Sequence, residues 1–201
     1  MPKQVPCLWF DGTAQQAAEH YTAIFPNSSI DKVTHYGPDM PPPMKEGDVL
    51  TVEFTLDGQE YIGLNGGPQF TFSEATSFQI MTKDQEETDY YWDRLTEGGE
   101  ESMCGWLKDK FGVSWQVSPI ELMELTTDPD PGRAQRAMQA MLQQRRIDIA
   151  EIRRAAQTAA VRAGSCSTAG EEGAVGTPGS LVAGPSRHRP AFRQGRRRRR
   201  A

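Results

Sequence analysis

Histidine and cysteine are scarce in this chain, with three of each in 201 residues. Cys7, Cys104 and Cys166 lack metal-ligand spacing, and His20, His35 and His188 are far apart. A cysteine-built metal site is thereby excluded. An odd number of well-separated cysteines reads as reduced thiols in a cytoplasmic protein. No run of about 18 apolar residues occurs, so no transmembrane helix is expected. The stretch from Met1 to Phe10 has no basic segment followed by a long apolar one, so no secretory signal is expected. Net positive charge is missing from most of the chain. The total is −5, and eight Arg against two Glu in residues 165–201 leave residues 1–164 at −11. Such an acidic body does not attract nucleic acid or anionic membrane by long-range field.

Periodic apolar patterns fill residues 5–125. Val5–Phe10 reads as a short strand ended by the turn pair Asp11-Gly12. Thr13 can cap a helix in which Ala14, Ala17, Ala18, Tyr21, Ile24 and Phe25 recur at helical spacing. Pro26-Asn27 stops that helix. Ser29–Tyr36 alternates as a strand, and the proline-rich residues 37–47 form a loop. Val49–Leu56 is a strand, and Asp57-Gly58 turns it into a further strand at Tyr61–Leu64. Asn65-Gly66-Gly67-Pro68 breaks the chain, and the same order then begins again. Ser77–Met81 reads as a strand and Asp84–Leu95 as a helix. Glu100–Cys104, Trp106–Lys108 and Val113–Val117 read as three more strands. A shift of 70 residues lays Leu8 on Phe78, Phe10 on Ile80, Tyr21 on Tyr91 and Phe25 on Leu95, which suggests an internal duplication.

From Pro119 the pattern becomes helical. Ile120–Leu125 is one short helix, and Asp128–Pro131 can start the next. Ala134, Ala137, Met138, Met141 and Leu142 form an apolar stripe that Ile147, Ile149, Ile152 and Ala156 continue. After Ala163 small residues, proline and arginine dominate, so this tail is expected to be disordered. Its five consecutive arginines give at most weak nucleic-acid or anionic-surface binding. The expected organisation is a paired domain over residues 1–127, a helical extension over 128–163 and the Arg-rich tail over 164–201.

The repeated order, with Phe111-Gly112 before a last strand carrying Trp115, resembles the vicinal-oxygen-chelate superfamily. Within it the chain resembles the PhnB-like group, whose domain label is 3-demethylubiquinone 3-methyltransferase. The residues that carry the resemblance are Pro6–Gly12, Leu50–Phe54, Leu64–Pro68, Ser77–Gln79, Cys104–Pro119 and Arg146–Ile149. It implies an α+β fold of two βαβββ modules whose curved mixed sheets form a cleft, as in glyoxalase and dihydroxybiphenyl dioxygenase. It also implies a homodimer and, in catalytic members, one divalent metal held by His and Glu on the first and last strand of each module. Carried onto this chain, those positions fall at or near Pro6, at Gly63 with Asn65 beyond it, at Thr76 or Ser77, and at Gln116. None is a charged or imidazole ligand, so no bound metal and no other cofactor are expected. The Gly66-Gly67 pair follows a hairpin strand and precedes no helix, so it reads as a turn rather than a methyl-donor loop.

The candidate cleft residues are Trp9, His35, Phe54, Asn65, Phe78, Gln79, Trp106, Lys108 and Gln116, as aromatic surface and directed hydrogen-bonding groups. Core packing is the plainer role for each tryptophan. Strand alternation puts Ser114 and Gln116 opposite Trp115 and Val117, and only one set can face the cleft. No catalytic residue is assigned: Glu53 and Glu60 can act as bases, but read more simply as surface carboxylates. The expected function is metal-free binding of a small molecule in the inter-module cleft. The alternative is an enzyme, either a metal-dependent lyase or dioxygenase or the methyltransferase of the domain label.

Overall fold

The chain's computed structural model describes residues 4–42 and 44–158. The first module consists of β1 (Cys7–Phe10), α1 (Ala14–Ile24), β2 (Ser29–His35), β3 (Val49–Leu56) and β4 (Gln59–Asn65). The second consists of β5 (Phe78–Thr82), α2 (Gln85–Thr96), β6 (Glu100–Glu101), β7 (Trp106–Lys108) and β8 (Ser114–Pro119). The sheets have the orders β1-β4-β3-β2 and β5-β8-β7-β6, so the two modules are wound alike. In each, the first strand runs parallel to the last and the other neighbours are antiparallel.

The duplication has two offsets. Leu8 and Phe10 match Phe78 and Ile80 as the core-facing residues of their strands, at a shift of 70. The helix caps Thr13 and Asp84 lie 71 apart. One extra residue between β5 and α2 therefore moves the helical matches. Tyr21 corresponds to Trp92 and Ile24 to Leu95, all four buried, and not to the Tyr21–Tyr91 and Phe25–Leu95 pairs expected from a single shift. The N-terminus of α1 also differs from expectation. Thr13 makes no side-chain cap, and the Ala14 N–H donates instead to Asn65 Oδ1 at 2.9 Å.

The helix-facing sides of both sheets meet in one core. Tyr21, Phe54, Leu95, Trp115 and Val117 belong to a single buried cluster. Phe25 and Phe78 pack on Trp115 at centroid separations of 5.5 and 5.4 Å. The β7–β8 turn is fixed by Asp109, which is 3 % exposed. Its carboxylate accepts from Tyr21 Oη at 2.6 Å, Trp115 Nε1 at 2.8 Å, and the N–H groups of Phe111 and Val113 at 2.9 and 3.0 Å. Four donors satisfy a buried charge that would otherwise be costly. One of them comes from the other module's helix.

Three helices follow: α3 (Ile120–Thr126), α4 (Pro131–Met141) and α5 (Ile149–Gln157). The apolar stripe foreseen across residues 134–156 is split by residues 142–148, which serve as a tether. Cys104 N–H and Gly105 N–H donate to Gln144 O and Arg145 O, each at 2.7 Å. Gln85 binds the backbone of both Ile147 and Ile149. Gly105 is required here, because a Cβ would sit 2.6 Å from Val117 O. Asp130 and Asp148 cap α4 and α5 through backbone N–H groups. Leu122, Leu125, Ala137, Ile147 and Ile152 form a second small core. The expected disordered tail over 164–201 lies outside the described residues.

Candidate functional site

Since side chains alternate along a strand, a shared core on one face of each sheet leaves the other face open. On β8, Trp115 and Val117 point into the core while Ser114, Gln116 and Ser118 lie on the open face. On β7 the open positions are Trp106 and Lys108, and on β5 the open position beside Gln116 is Gln79. Register fixes their neighbours: Gln79 lies beside Gln116, Trp106 opposite Gln116, and Lys108 opposite Ser114. The second module thus brings together four of the nine candidate residues, Gln79, Trp106, Lys108 and Gln116.

The other five lie elsewhere. Phe54 is 1 % exposed and stacks on Tyr61 in the shared core, and Phe78 sits between Tyr61 and Trp115. Both are core-facing because their strand parity is that of Val52 and Ile80. Asn65 is buried, with Oδ1 on α1 and Nδ2 donating to Val49 O at 3.0 Å, so its amide is a structural clamp. His35 is exposed at the end of β2, while Tyr36 is buried with its hydroxyl donating to Asn65 O. Trp9 lies on the first module's open face. Its indole N–H donates to Gly67 O at 2.8 Å, and Phe70 meets it edge-on.

Two cavities indent the second module's open face. One, of about 190 Å³, has Gln79, Trp106, Gln116 and Ser118 as its floor and Met123 of α3 and Met141 of α4 among its walls. The other, of about 140 Å³, includes Lys108, Ser114, Ser102, Glu100 and Glu74. Trp106 borders both. Within the site Gln116 Nε2 donates to Ser77 Oγ at 2.9 Å, which leaves its carbonyl oxygen as an acceptor. Lys108 Nζ pairs with Glu74 Oε1 at 2.5 Å. That contact raises the lysine's pKa and lowers the glutamate's. Ser114 is 2 % exposed, and its Oγ has no hydrogen-bond partner among the described residues. Ser114 and Ser118 share the parity of Gln116, so alternation alone could have found them. Glu74, Met123 and Met141 carry no local signal, because tertiary folding alone brings them to the site.

A divalent metal of the kind the superfamily resemblance implies can be tested against the donor set. Gly63 faces α1, since a Cβ there would lie 3.2 Å from Ala14 Cβ. The open-face residue of β4 is therefore Leu64, and it pairs with Trp9 as Gln116 pairs with Gln79. Trp9, Leu64, Gln79 and Gln116 offer no imidazole, carboxylate or thiolate, and they do not fit a first-row divalent ion. Nearby Cys7 is exposed, and partial desolvation raises its thiol pKa. Among the described residues no group of three or more His, Cys, Asp or Glu is placed to hold a metal. A methyl-donor loop at Gly66-Gly67 fits no better. A Cβ on Gly66 would overlap the Trp9 ring, so these glycines make room for an indole.

Two like-wound βαβββ modules, back to back and each with an open sheet face, define a protein of the glyoxalase-like, vicinal-oxygen-chelate type. Residues 2–118 match the family model for 3-demethylubiquinone-9 3-methyltransferase. The chain therefore belongs to that family, in its PhnB-like group. Among solved structures it is similar to the PhnB protein from Bacillus cereus, provisionally described as a 3-demethylubiquinone-9 3-methyltransferase. That similarity is 34% identity and a TM-score of 0.54, over 59% of this chain and 99% of that one. It is also similar in fold to protein PA1353 from Pseudomonas aeruginosa, at 20% identity and a TM-score of 0.50, over 59% and 98% of the two chains. No curated protein matches the chain. Met123 and Met141 lie beyond the matched residues. Among the described residues no helix is long and apolar enough to cross a membrane.

Proposed function

We propose that this protein binds a small organic molecule on the open face of its second module, without a resident metal ion. The observation that carries this reading is the Gln79–Gln116 pair, two neutral amides in register on adjacent strands beside Trp106. Paired amides present donors and acceptors to a planar polar ligand, and an indole gives it a flat apolar surface. The methionines of α3 and α4 supply an adaptable wall. A metal-dependent lyase or dioxygenase would need charged donors where Trp9 and Leu64 stand. Methyl transfer, as in the family's description, is the second reading, and its methyl donor would need a seat other than Gly66-Gly67.

We further propose that the protein is a cytoplasmic homodimer in which a second copy covers part of the open faces and completes the cleft. Exposed Ile120, Met123, Met138 and Leu142 on and beside α3 and α4 favour such pairing. Cys7 and Cys104 are unbridged, in keeping with a reducing compartment. Light scattering should then give twice the chain mass of 22.3 kDa.

The test is thermal denaturation with a chelator, with S-adenosylmethionine and with a metabolite set, beside mass spectrometry of whatever co-purifies. A ligand at a hundredfold excess over its Kd adds about 2.7 kcal/mol. In a domain of this size that raises Tm by roughly 5–10 °C. The expected result is no response to chelator or methyl donor, and a shift with one metabolite that Gln116→Leu abolishes. One equivalent of metal per chain, with Tm falling on chelation, would overturn the reading.

A further inference from the structure

We infer that the ligand of the second module's open face is a monocarboxylate, whose carboxylate takes the place of Glu74 on Lys108 and also accepts from Ser114. This rests on the binding reading above and names the chemical class of the ligand. Lys108 and Ser114 are directly opposed on β7 and β8, so their positions are set by the sheet. Ser114 Oγ is a buried hydroxyl without a partner among the described residues, at the wall of the cavity that Lys108 also lines. A buried hydroxyl left unpaired is costly, and a ligand oxygen arriving there removes that cost.

Lys108 already holds a carboxylate, but one from a replaceable source. Glu74 lies in the irregular segment between β4 and β5, and its side chain is 65 % exposed. The cation is anchored to a strand and the anion to a loop, so the loop's carboxylate is the partner that can leave. When it swings into solvent, Lys108 is freed and Ser114 Oγ can donate beside it. Glu74 is thus an internal competitor that holds the anion seat until a ligand arrives.

Spacing and charge narrow the ligand. Lys108 and Trp106 lie two residues apart on the same face of β7, about 6.7 Å along a strand. That matches the span from a carboxylate to the far side of an attached six-membered ring, so the ring would lie on Trp106 with the acid on Lys108. Glu100 is paired opposite Lys108 on β6, whereas Glu101 pairs with Leu107 and is engaged by Trp92 and Arg145. A fixed negative charge opposite the lysine disfavours a doubly charged phosphate more than a single carboxylate.

The experiment uses 4-fluorobenzoate and its neutral isostere 4-fluorobenzamide, titrated into the full chain and followed by fluorine NMR line width. The variants are Glu74→Gln, Lys108→Met, Ser114→Ala and Gln116→Leu, each checked for folding by circular dichroism. Glu74→Gln is expected to tighten benzoate binding at least threefold and leave benzamide unchanged. Lys108→Met is expected to weaken benzoate at least tenfold, and Ser114→Ala several-fold. If the two probes bind alike, or Glu74→Gln leaves benzoate unchanged or weaker, the carboxylate assignment is wrong. In that case, loss of both probes in Gln116→Leu would still uphold the open-face site. If neither probe binds at millimolar concentration, both the assignment and the site fall.

Discussion

Replacing Asp109 by alanine removes the acceptor on which four donors from two modules converge. Tyr21 Oη, Trp115 Nε1 and Val113 N–H are buried there, and Phe111 N–H is partly so. A buried donor left unpaired costs about 1–3 kcal/mol. Three such donors give roughly 3–9 kcal/mol, and partial collapse or water entry brings the expectation to about 4–6 kcal/mol. That is a large share of the 5–15 kcal/mol by which a domain is typically stable. Asp109→Asn keeps the shape and one acceptor oxygen, so it should cost about half as much and remain folded enough to measure. Tyr21→Phe removes one donor and should cost about 1–2 kcal/mol. Urea unfolding followed by far-UV circular dichroism gives each value, and the Tyr21→Phe/Asp109→Asn double variant closes the cycle. A coupling above about 1 kcal/mol is expected, because both substitutions act on one hydrogen bond. Additive losses, or an Asp109→Ala cost below about 1.5 kcal/mol, would show that the modules are not held through this carboxylate.

Three further outcomes follow from the same geometry. Gly66→Ala should displace the Trp9 indole from its seat, costing about 1–3 kcal/mol and shifting tryptophan emission to longer wavelength; unchanged emission and stability would contradict the close approach. Burial, then the Asp109 charge and hydrogen bond, hold the Tyr21 hydroxyl well above its ordinary pKa near 10. The unfolded chain therefore ionises this group first, so its stabilising contribution is complete below about pH 10 and is lost as pH rises toward the folded value. Tm measured from pH 9 to 11.5 should fall less steeply in Tyr21→Phe than in the parent, and equal slopes would refute the assignment. Cys7 is exposed but partial desolvation raises its thiol pKa, so it should react with a disulfide reagent at pH 8 more slowly than a free thiol, in a Cys104→Ser, Cys166→Ser background.

Much of the framework was legible in the sequence because strands and helices declare themselves by period. The order strand, helix, strand, strand, strand appears twice, and the Trp115/Gln116 alternation already divides β8 into two faces. Which face met the core was not legible from periodicity, because both sets contain residues that either side can accept. The joint aromatic core decides it, by drawing Trp115 toward Tyr21, Phe25 and Phe78. Phe54 and Phe78 were expected in the cleft because aromatic residues suit a ligand wall as well as a core. Their strand parity, set by pairing with Tyr61 and Trp115, places them inside. Asn65 was expected to face a ligand, yet it replaces Thr13 as the partner of the α1 N-terminus across 51 residues, a substitution that no local pattern announces.

The duplicated framework makes the difference between the modules informative. Trp9 beside Leu64 and Gln79 beside Gln116 occupy equivalent positions, the first strand against the last. In the first module the tryptophan folds over Gly66, hydrogen-bonds Gly67 and packs on Phe70, so its polar atom is spent on the protein itself. In the second module the amides have no aromatic cover of that kind, and Gln116 keeps an unspent acceptor. One face is closed by its own side chains and the other stays open toward α3 and α4. A metal cleft of the type the superfamily resemblance implies needs charged or imidazole donors on the first and last strands, and here each module lacks them for a different reason. The first has an indole and an aliphatic chain at those positions, and the second has neutral amides suited to hydrogen bonds. Restoring one ligand should therefore not restore a metal site. Gln116→Glu alone should bind zinc no better than the parent, and a micromolar site in that single variant would mean that the open faces meet donors other than Trp9, Leu64 and Gln79.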